Sequence, residues 1–334
     1  MILQTDLRCQ ESGWQQALAS IIRDPDELLR LLELDRNAMP QALAAAADFP
    51  LKVPRGFAAR MQKGNWHDPL LQQVLPSNRE LEVVPGYSAD PLDEVAHNPV
   101  PGLIHKYHGR VLLIVSGGCA IHCRYCFRRH FPYEDNNPGK RQWQQALDYI
   151  RSDSSIEEVI FSGGDPLSAS DRHLAELARA VDAIPHVTTL RIHSRMPVVL
   201  PERICADFLD WLLPLRLRKV MVIHSNHANE LSDDVAAALA QLRSADVTLL
   251  NQTVLLKGIN DNADTLTALS RQLHAAGVLP YYLHLLDRVA GAAHFDIDSS
   301  TAVRLIKALR GRLPGYLVPK LVKEEPGATS KTPV

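Results

Sequence analysis

The sequence predicts an α/β fold in which six strand–helix units form an open, partial (β/α)6 barrel of TIM-like architecture. From residue 111 onward, short apolar and β-branched runs alternate with stretches whose apolar residues have helical spacing. After the first gap, the predicted strands start about 30 residues apart, which is the size of a βαβ unit in a parallel sheet. Six units are too few for the closed eight-stranded barrel, so the barrel is expected to be open.

The beginning of the chain has a different pattern, which predicts a layer of short helices. DPDELLRLLEL (24–34) starts with acidic residues and repeats its apolar residues at helical spacing, and QALAAAADF (41–49) predicts a second helix. A Pro-rich stretch then continues to Pro101. We therefore divide the chain into an N-terminal helical region (1–98), a partial barrel (99–315) and a C-terminal tail (316–334).

The strand candidates follow one another in a regular order. They are VLLIV (111–115), EEVIF (157–161), TTLRI (188–192), KVMVI (219–223), VTLLNQTVLL (247–256) and YYLHLL (281–286). A helical sequence separates each from the next, and STAVRLIKALRGRL follows the last. Polar segments such as SGGC, SGGDP and HSR come directly after several strands. Because parallel strands place functional residues at their carboxyl ends, the site is expected at that edge.

Composition excludes several classes of protein. The chain has 334 residues, 46% of them hydrophobic, and a net charge of −2. This balance excludes a disordered chain, and the lack of basic excess disfavours a nucleic-acid partner. The longest apolar runs are too short to span a membrane. Five cysteines, three of them within eight residues, do not resemble a secreted disulfide framework, so a reducing, cytoplasmic location is expected.

Three cysteines after the first predicted strand indicate a metal centre. Cys119, Cys123 and Cys126 lie on one loop, and three thiolates at this spacing can each hold one iron of a [4Fe–4S] cube, with the fourth iron open. The alternative is a zinc-stabilised binding module, in which the fourth ligand would be His122, His130 or Cys205. The default interpretation of Cys9 and Cys205 is that of structural thiols.

The CxxxCxxC spacing after the first strand of a repeated βα chain resembles the radical S-adenosylmethionine superfamily. The resemblance implies that the three cysteines hold the cluster and that its open iron chelates S-adenosylmethionine. Gly163, Gly164 and Asp165 match the segment that holds the methionine amino group. His224 and Gln252 lie on the fourth and fifth strands, where the family contacts S-adenosylmethionine.

A closer resemblance covers residues 95–334. HKYHGRVLLIV, CRYCFRRHF, SGGDPL, RIHSRMPVVLPERI, YYLHLLD and PGATSKTPV are together similar to the lysine 2,3-aminomutase family. The HKYH and CRYCFRRHFPY segments and the end at KTPV most resemble the short bacterial branch, which converts (S)-α-lysine to (R)-β-lysine. That branch implies a supply of (R)-β-lysine for elongation factor P and its lysyl ligase, and an electron donor of the flavodoxin or ferredoxin type.

The resemblance also implies a pyridoxal phosphate site. Lys331 matches the lysine that holds this cofactor, although its loop is less glycine-rich than the family pattern. A primary amine suits this role because it reacts with the cofactor's aldehyde. Arg110, Lys106 and Tyr107 match the segment that anchors the phosphate. A radical S-adenosylmethionine enzyme without pyridoxal phosphate is the alternative.

The substrate residues follow from the same resemblance. Arg128 matches the arginine that pairs with the substrate carboxylate, for which a planar guanidinium is suited. Asp287 and Glu324 match the two acids that hold the ε-ammonium of lysine, and Glu324 stands where the family has aspartate. The alternative is an aminomutase that acts on another amino acid, such as glutamate or arginine. Four further residues near strand ends receive no role: His193, Arg195, His227 and His284.

Overall fold

One mixed sheet organises the protein, for which the computed structural model describes residues 13–38, 44–133 and 140–334. The sheet has nine strands, and each strand pairs with the next strand along the chain. The strands are β1 (Leu103–Tyr107), β2 (Arg110–Ser116), β3 (Glu158–Gly163), β4 (Thr189–Ser194), β5 (Arg218–His224), β6 (Val247–Val254), β7 (Leu279–His284), β8 (Lys320–Lys323) and β9 (Thr332–Pro333).

The strands from β2 to β8 are parallel, and β1 and β9 add antiparallel edges. The α/β class and the six predicted strands are confirmed as β2–β7. The predicted count is wrong by one parallel strand, because β8 lies in the segment that we assigned to the tail. β8 has only four residues, and it forms by pairing Leu321 with Leu283 of β7. A run this short carries no periodic signal in the sequence.

Helices cover the sheet and connect its parallel strands. They are α1 (Gly13–Ala19), α2 (Pro25–Leu31), α3 (Arg55–Ala58), α4 (Lys140–Ser152), α5 (Asp171–Asp182), α6 (Met196–Val199), α7 (Ala206–Leu212), α8 (Asp233–Ser244), α9 (Ala263–Ala275) and α10 (Ser299–Arg310). The long helices start at side-chain caps such as Ser170, Asn262 and Asp298, which accept a hydrogen bond from the first helical turn. Across the described ranges, none of the helices has the length and apolarity needed to cross a bilayer.

The predicted helix over 41–49 is wrong for the part that the structure describes. Ala44–Ala46 form a single 3-10 turn, and residues 39–43 lie outside the described ranges. The carbonyl of Phe49 accepts a hydrogen bond of 2.7 Å from Arg124, so it is not free to continue a helix. Pro50 follows, and a residue before proline avoids helical geometry. By contrast, the helix predicted over 24–34 is present as α2, capped by Asp24.

The N-terminal region and the parallel sheet share one hydrophobic core. Trp14, Leu28 and Phe57 belong to the same buried cluster as Val159 and Met221 of the sheet. A second cluster packs α9 and α10 against β7 and β8, through residues such as Leu283 and Leu309. Apolar side chains of the N-terminal helices are therefore buried in the same core as those of the sheet, and the two regions stabilise each other.

The N-terminal region also holds the loop that carries the three cysteines. Arg124, between the second and third cysteines, is fully buried and forms an ion pair with the carboxylate of Glu80. Arg129 donates to the same carboxylate over 2.9 Å. The backbone N–H of His122 donates to the Lys52 carbonyl over 3.0 Å, and its ring Nδ1 donates to the Pro50 carbonyl over 2.7 Å. The loop conformation therefore depends on residues 45–80.

Replacing Glu80 with Gln should destabilise the protein strongly. The change leaves Arg124 and Arg129 without the carboxylate that neutralises them in a buried site, and breaking such a pair costs about 3–5 kcal/mol. We expect urea denaturation to show this loss in the free energy of unfolding. Glu82→Gln, which changes an exposed carboxylate two residues away, is the control and should have little effect. Equal stability of both variants would contradict the role given to Glu80.

Candidate active site

A cavity of about 1380 Å³ runs along the parallel strands, from residues such as Arg110 and Glu158 at their starts to the loops at their carboxyl ends. Residues of β1 to β8, the cysteine loop and the C-terminal tail line it. The site was expected at the carboxyl ends of the strands. The cavity wall contains Cys119, Cys123 and Cys126 on the loop after β2, and Lys331 on the tail. The chain segments that the sequence proposed as functional therefore face a common space.

The cysteine loop lies directly against the end of β3. The backbone N–H of Gly164 donates to Ser116 over 2.8 Å, and the N–H of Asp165 donates to Gly118 over the same distance. A Cβ atom at Gly164 would lie 2.6 Å from the Gly118 oxygen, so a larger residue cannot fit there. Gly163 has a φ of +127°, and a Cβ would lie 2.3 Å from the Ser116 oxygen. These contacts require glycine at both positions.

The three thiols are suited to a cationic centre. Burial raises the pKa of Cys119 well above its usual value, and the neighbouring Cys126, Asp165 and Cys123 raise it further. Burial and Cys123 raise the pKa of Cys126 to about 11. Ionising several thiols so close to each other is unfavourable because their negative charges repel. A bound metal centre neutralises these charges and so lowers the pKa values of the thiols.

The arrangement differs from that of a single-ion site. In the described parts of the chain, no three His, Cys, Asp or Glu side chains converge closely enough to share one metal ion. His122 and His130, two of the possible zinc ligands, bond to the carbonyls of Pro50 and Ala290, and Cys205 lies at the start of α7. A cube places each thiolate on a different iron, so its ligands need not converge on one point.

Asp165 has a structural task in addition to its predicted role. Its carboxylate accepts hydrogen bonds from the backbone N–H groups of Leu167, Arg195 and Met196 and from the Ser194 hydroxyl, at 2.7–3.2 Å. These bonds join the end of β3 to the end of β4. The contact with S-adenosylmethionine that we predicted for Gly163, Gly164 and Asp165 stays a prediction.

Arg128 is buried and is held by a residue that the sequence did not single out. Its guanidinium forms a bidentate pair with Glu94, over 2.8 Å and 2.7 Å. The remaining terminal nitrogen donates to the Ser162 hydroxyl and the Gly163 carbonyl at 3.1 and 3.0 Å. Glu94 lies in the Pro-rich stretch, where an acidic residue has no distinguishing pattern. The carboxylate-binding role of Arg128 stays a prediction.

The cavity lining also includes two acids, Asp287 and Glu324, and Lys331. The Lys331 ammonium forms an ion pair with Glu324, and the Tyr107 hydroxyl donates to the same carboxylate. The Arg110 guanidinium stacks 4.8 Å from the centre of the Tyr107 ring. The Lys106 ammonium bonds instead to the Leu92 carbonyl over 2.8 Å. The structure thus brings Tyr107, Glu324 and Lys331 into contact, although the tail is more than 200 residues from Tyr107 in sequence.

The electrostatics of the two acids differ. Burial raises the pKa of Asp287 to about 7, with Glu324 and Glu94 acting in the same direction and Lys331 opposing them. Burial acts in the same sense on Glu324, but the Lys331 cation and the Tyr107 hydroxyl hold its pKa below the usual range. Near neutral pH, Glu324 is therefore ionised and Asp287 is partly protonated.

Three histidines of β4, β5 and β7 also line the cavity: His193, His224 and His284. Strand register aligns His224 of β5 with Gln252 of β6, so the two predicted S-adenosylmethionine contacts are adjacent in the cavity wall. Burial, with nearby Arg195 and Lys331, lowers the pKa of His224 to about 4. Burial also lowers the pKa values of His193 and His284. All three rings are therefore neutral at physiological pH.

Comparison with known proteins identifies the family. The Radical SAM superfamily profile matches residues 113–269, from β2 into α9. An L-lysine 2,3-aminomutase from Escherichia coli (strain K12) is 52% identical over 322 residues, which are 96% of this chain and 94% of that protein. The chain belongs to the lysine 2,3-aminomutase family. Relatives of the same name occur in Haemophilus influenzae, at 50% identity over 97% of this chain and 96% of that protein, and in Clostridium subterminale, at 34% identity over 97% and 78%.

Family membership confirms the resemblance derived from the sequence. As a radical S-adenosylmethionine protein, this member of the lysine 2,3-aminomutase family uses a [4Fe–4S] cluster and S-adenosylmethionine. Sequence reasoning missed the glutamates that neutralise the buried arginines, namely Glu80, Glu94 and Glu230. Their partners are far away in sequence, so the only available signal was the number of arginines around the cysteine triplet.

Replacing Asp287 with Asn tests the electrostatic environment of this acid. Folded protein retains a proton on Asp287 up to about pH 7, whereas an unfolded chain releases it near about pH 4. The folded state binds more protons in this window, so wild-type stability falls as the pH rises through it. We expect the free energy of unfolding of Asp287→Asn to exceed that of wild type at about pH 8, and the excess to shrink toward about pH 4.

Urea denaturation across the pH range measures this difference. Asp210→Asn, an exposed change on α7, is the control and should give an offset that does not vary with pH. A pH-independent offset for Asp287→Asn as well would contradict the raised pKa of Asp287.

Proposed function

We propose that this chain is an L-lysine 2,3-aminomutase, which converts (S)-α-lysine to (R)-β-lysine and depends on pyridoxal phosphate as well as S-adenosylmethionine. The observation that carries the proposal is the common cavity. The cysteine loop lines one part of this cavity, and Lys331, Glu324 and Asp287 line another. A radical generated at the cysteine loop would therefore form in the same cavity as a substrate held by Lys331 and the two acids.

The tail supports the assignment of Lys331 to pyridoxal phosphate. β8 pairs with β7, and β9 returns antiparallel to β8 through the pairs Val322–Pro333 and Lys323–Thr332. This hairpin brings Lys331 back over the cavity, so its amine is available to a cofactor aldehyde. Arg110 lies on the same side, where its charge could bind a phosphate.

The charged residues of the cavity suit a substrate that has a carboxylate and two amines. Glu324 already binds an ammonium group, that of Lys331, and Asp287 adds a second acid beside it. We propose that these acids hold the ε-ammonium of lysine. Arg128 would hold the carboxylate, with Glu94 giving up part of its bidentate pair. Binding of an ammonium would displace the proton of Asp287, because a nearby cation favours the ionised carboxyl.

The cofactors supply the reactive groups, and the protein holds them, positions the substrate and excludes water. S-adenosylmethionine supplies a 5′-deoxyadenosyl radical, and pyridoxal phosphate holds the amino group that moves from C2 to C3. Cys119, Cys123 and Cys126 hold the cluster in this proposal, and His224 and Gln252 contact S-adenosylmethionine. Residues of the strand ends exclude water and hold substrate carbon C3 close to the radical.

Finer assignments belong to the same proposal. Because residues from β1 to β8 surround one cavity, we infer that the sheet curves as an open, partial barrel. The regions 1–98, 99–315 and 316–334 then correspond to the helical layer, the barrel and the catalytic tail. We place the protein in the cytoplasm, with a flavodoxin or ferredoxin as electron donor. The resemblance to the short bacterial branch supports a role of β-lysine in the modification of elongation factor P by its lysyl ligase.

Anaerobic turnover tests the proposed reaction. Protein reconstituted with iron and sulfide should form β-lysine from L-lysine when reductant, S-adenosylmethionine and pyridoxal phosphate are present. Lys331→Ala should lose the visible absorbance of bound pyridoxal phosphate and nearly all turnover, because the amine proposed to hold the cofactor's aldehyde is removed. Lys307→Ala, an exposed lysine on α10, is the control and should behave as wild type. Full activity of Lys331→Ala would refute the assignment.

Replacing Glu324 with Gln should weaken lysine binding more than it slows the chemical step. Loss of a charge-assisted hydrogen bond costs about 1.5–3 kcal/mol, so KM for lysine should rise about tenfold or more, with a smaller change in kcat. Glu325→Gln removes an adjacent carboxylate that pairs with Lys323 outside the proposed site, and its KM should stay near that of wild type. Equal KM values for the two variants would show that Glu324 does not bind the ε-ammonium.

A further inference from the structure

Arg195 is a buried arginine at the carboxyl end of β4, and neither the motifs nor the proposed reaction gives it a role. It precedes α6, and only 7% of its side chain is exposed to solvent. A guanidinium remains charged at any physiological pH. Burial of such a charge is costly unless close partners compensate for it, so each of its contacts is informative.

One contact of Arg195 is with a cysteine of the loop. Its first terminal nitrogen lies 2.6 Å from the sulfur of Cys123, and its second donates to the Gln73 side chain over 2.7 Å and to Glu230 over 3.0 Å. In the described part of the protein, its Nε has no hydrogen-bond partner. A single guanidinium thus joins the N-terminal region, the cysteine loop and the segment after β5.

The position of the guanidinium is fixed from several sides. The rings of Phe57 and Tyr125 lie 5.6 Å and 5.7 Å from its central carbon. Glu230 is itself held, because it accepts from the backbone N–H groups of Asn226 and His227 and from the Gln73 amide, at 2.9–3.1 Å. Arg195 therefore cannot turn away from Cys123 without breaking this network.

A fixed positive charge at a ligand sulfur has a known physical consequence. Reduction of a [4Fe–4S] cluster adds one negative charge, part of which resides on the sulfur atoms. A hydrogen bond and a cation at such a sulfur stabilise the reduced state and raise the reduction potential. Glu230 opposes this effect, but its carboxylate acts from beyond the guanidinium, which itself contacts the sulfur.

We propose that Arg195 is a positioning residue that acts through the Cys123 sulfur and raises the reduction potential of the cluster. The inference rests on the proposed function, because it takes Cys123 to be a cluster ligand. The contact eases reduction of the cluster by its electron donor, and by the same amount it lowers the driving force for electron transfer from the reduced cluster to S-adenosylmethionine. It also makes the potential of the cluster dependent on Gln73 and Glu230, which hold the guanidinium in place.

The test is the midpoint potential of the reconstituted cluster, measured by potentiometric titration with electron paramagnetic resonance, without S-adenosylmethionine or lysine. For Arg195→Gln, we expect the equilibrium constant of reduction to fall about tenfold, which for one electron is about 59 mV toward more negative potential. Arg195→Lys should lie between wild type and Arg195→Gln, because it keeps the charge but not the fork that reaches two partners.

Arg60→Gln is the matched control. Arg60 donates to the backbone carbonyls of Glu230 and Val198, and none of its bonds within the described ranges is to a cysteine. Its loss therefore removes a nearby positive charge without removing a bond to the Cys123 sulfur. Its potential should stay closer to that of wild type than to that of Arg195→Gln. If Arg195→Gln does not retain a cluster, the test depends on Arg195→Lys, whose potential should be lower than that of wild type.

Two results would overturn the inference, and they differ from failure of the proposed function. An unchanged potential in Arg195→Lys, or in a cluster-loaded Arg195→Gln, would show that Arg195 only supports the fold. An equal shift in Arg60→Gln would show a general charge effect. Iron and sulfide analysis of Cys123→Ala tests the underlying assignment separately, because a complete and stable cluster in that variant would mean that Cys123 is not a ligand.

Discussion

Three buried arginine–glutamate pairs hold the cysteine loop in place. Arg124 pairs with Glu80, Arg128 with Glu94, and Arg195 with Glu230, and every member is at most 7% exposed. A loop that carries three thiolates and several arginines can be buried only if each charge has a fixed partner, because an uncompensated charge in a protein interior is strongly destabilising. The placement of the candidate metal centre therefore depends on these pairs.

The origin of the glutamates explains why the N-terminal region is part of the active unit. Glu80 and Glu94 belong to that region, and Gln73 from the same region contacts Arg195. The helices there also share the core of the sheet. The N-terminal layer thus supplies the negative charges that neutralise the buried arginines, and the cysteine loop could not adopt its conformation without them.

The two walls of the cavity are held by different means. The cysteine wall is rigid, since close backbone contacts at Gly163 and Gly164 and the four hydrogen bonds of Asp165 join three strand ends. The part of the cavity near the end of the chain depends on the short β8–β9 pairing, which brings Lys331 and Glu324 to Tyr107.

Much of this protein was evident in the sequence alone. Strands β2–β7 and the long helices follow from local periodicity, and the cysteine spacing and the resemblance pointed to the family that comparison then confirmed. These features are local, so the order of residues along the chain is sufficient to reveal them. Local periodicity gave a wrong prediction for residues 44–49, which do not form the expected helix. There, the hydrogen bond from Arg124 to the Phe49 carbonyl and the following proline override the helical pattern.

Which side chains meet depends on the tertiary structure. β8 forms by pairing with the edge of β7, the Asp165 carboxylate accepts hydrogen bonds from the end of β4, and Arg128 has its charge neutralised by Glu94. Each is a contact between residues distant in sequence, which periodicity and spacing do not report. The contact between Arg195 and Cys123, across 72 residues, is of this kind. Local patterns along the chain were therefore enough to predict the elements and the type of chemistry, whereas long-range pairing of buried charges sets the geometry of the site.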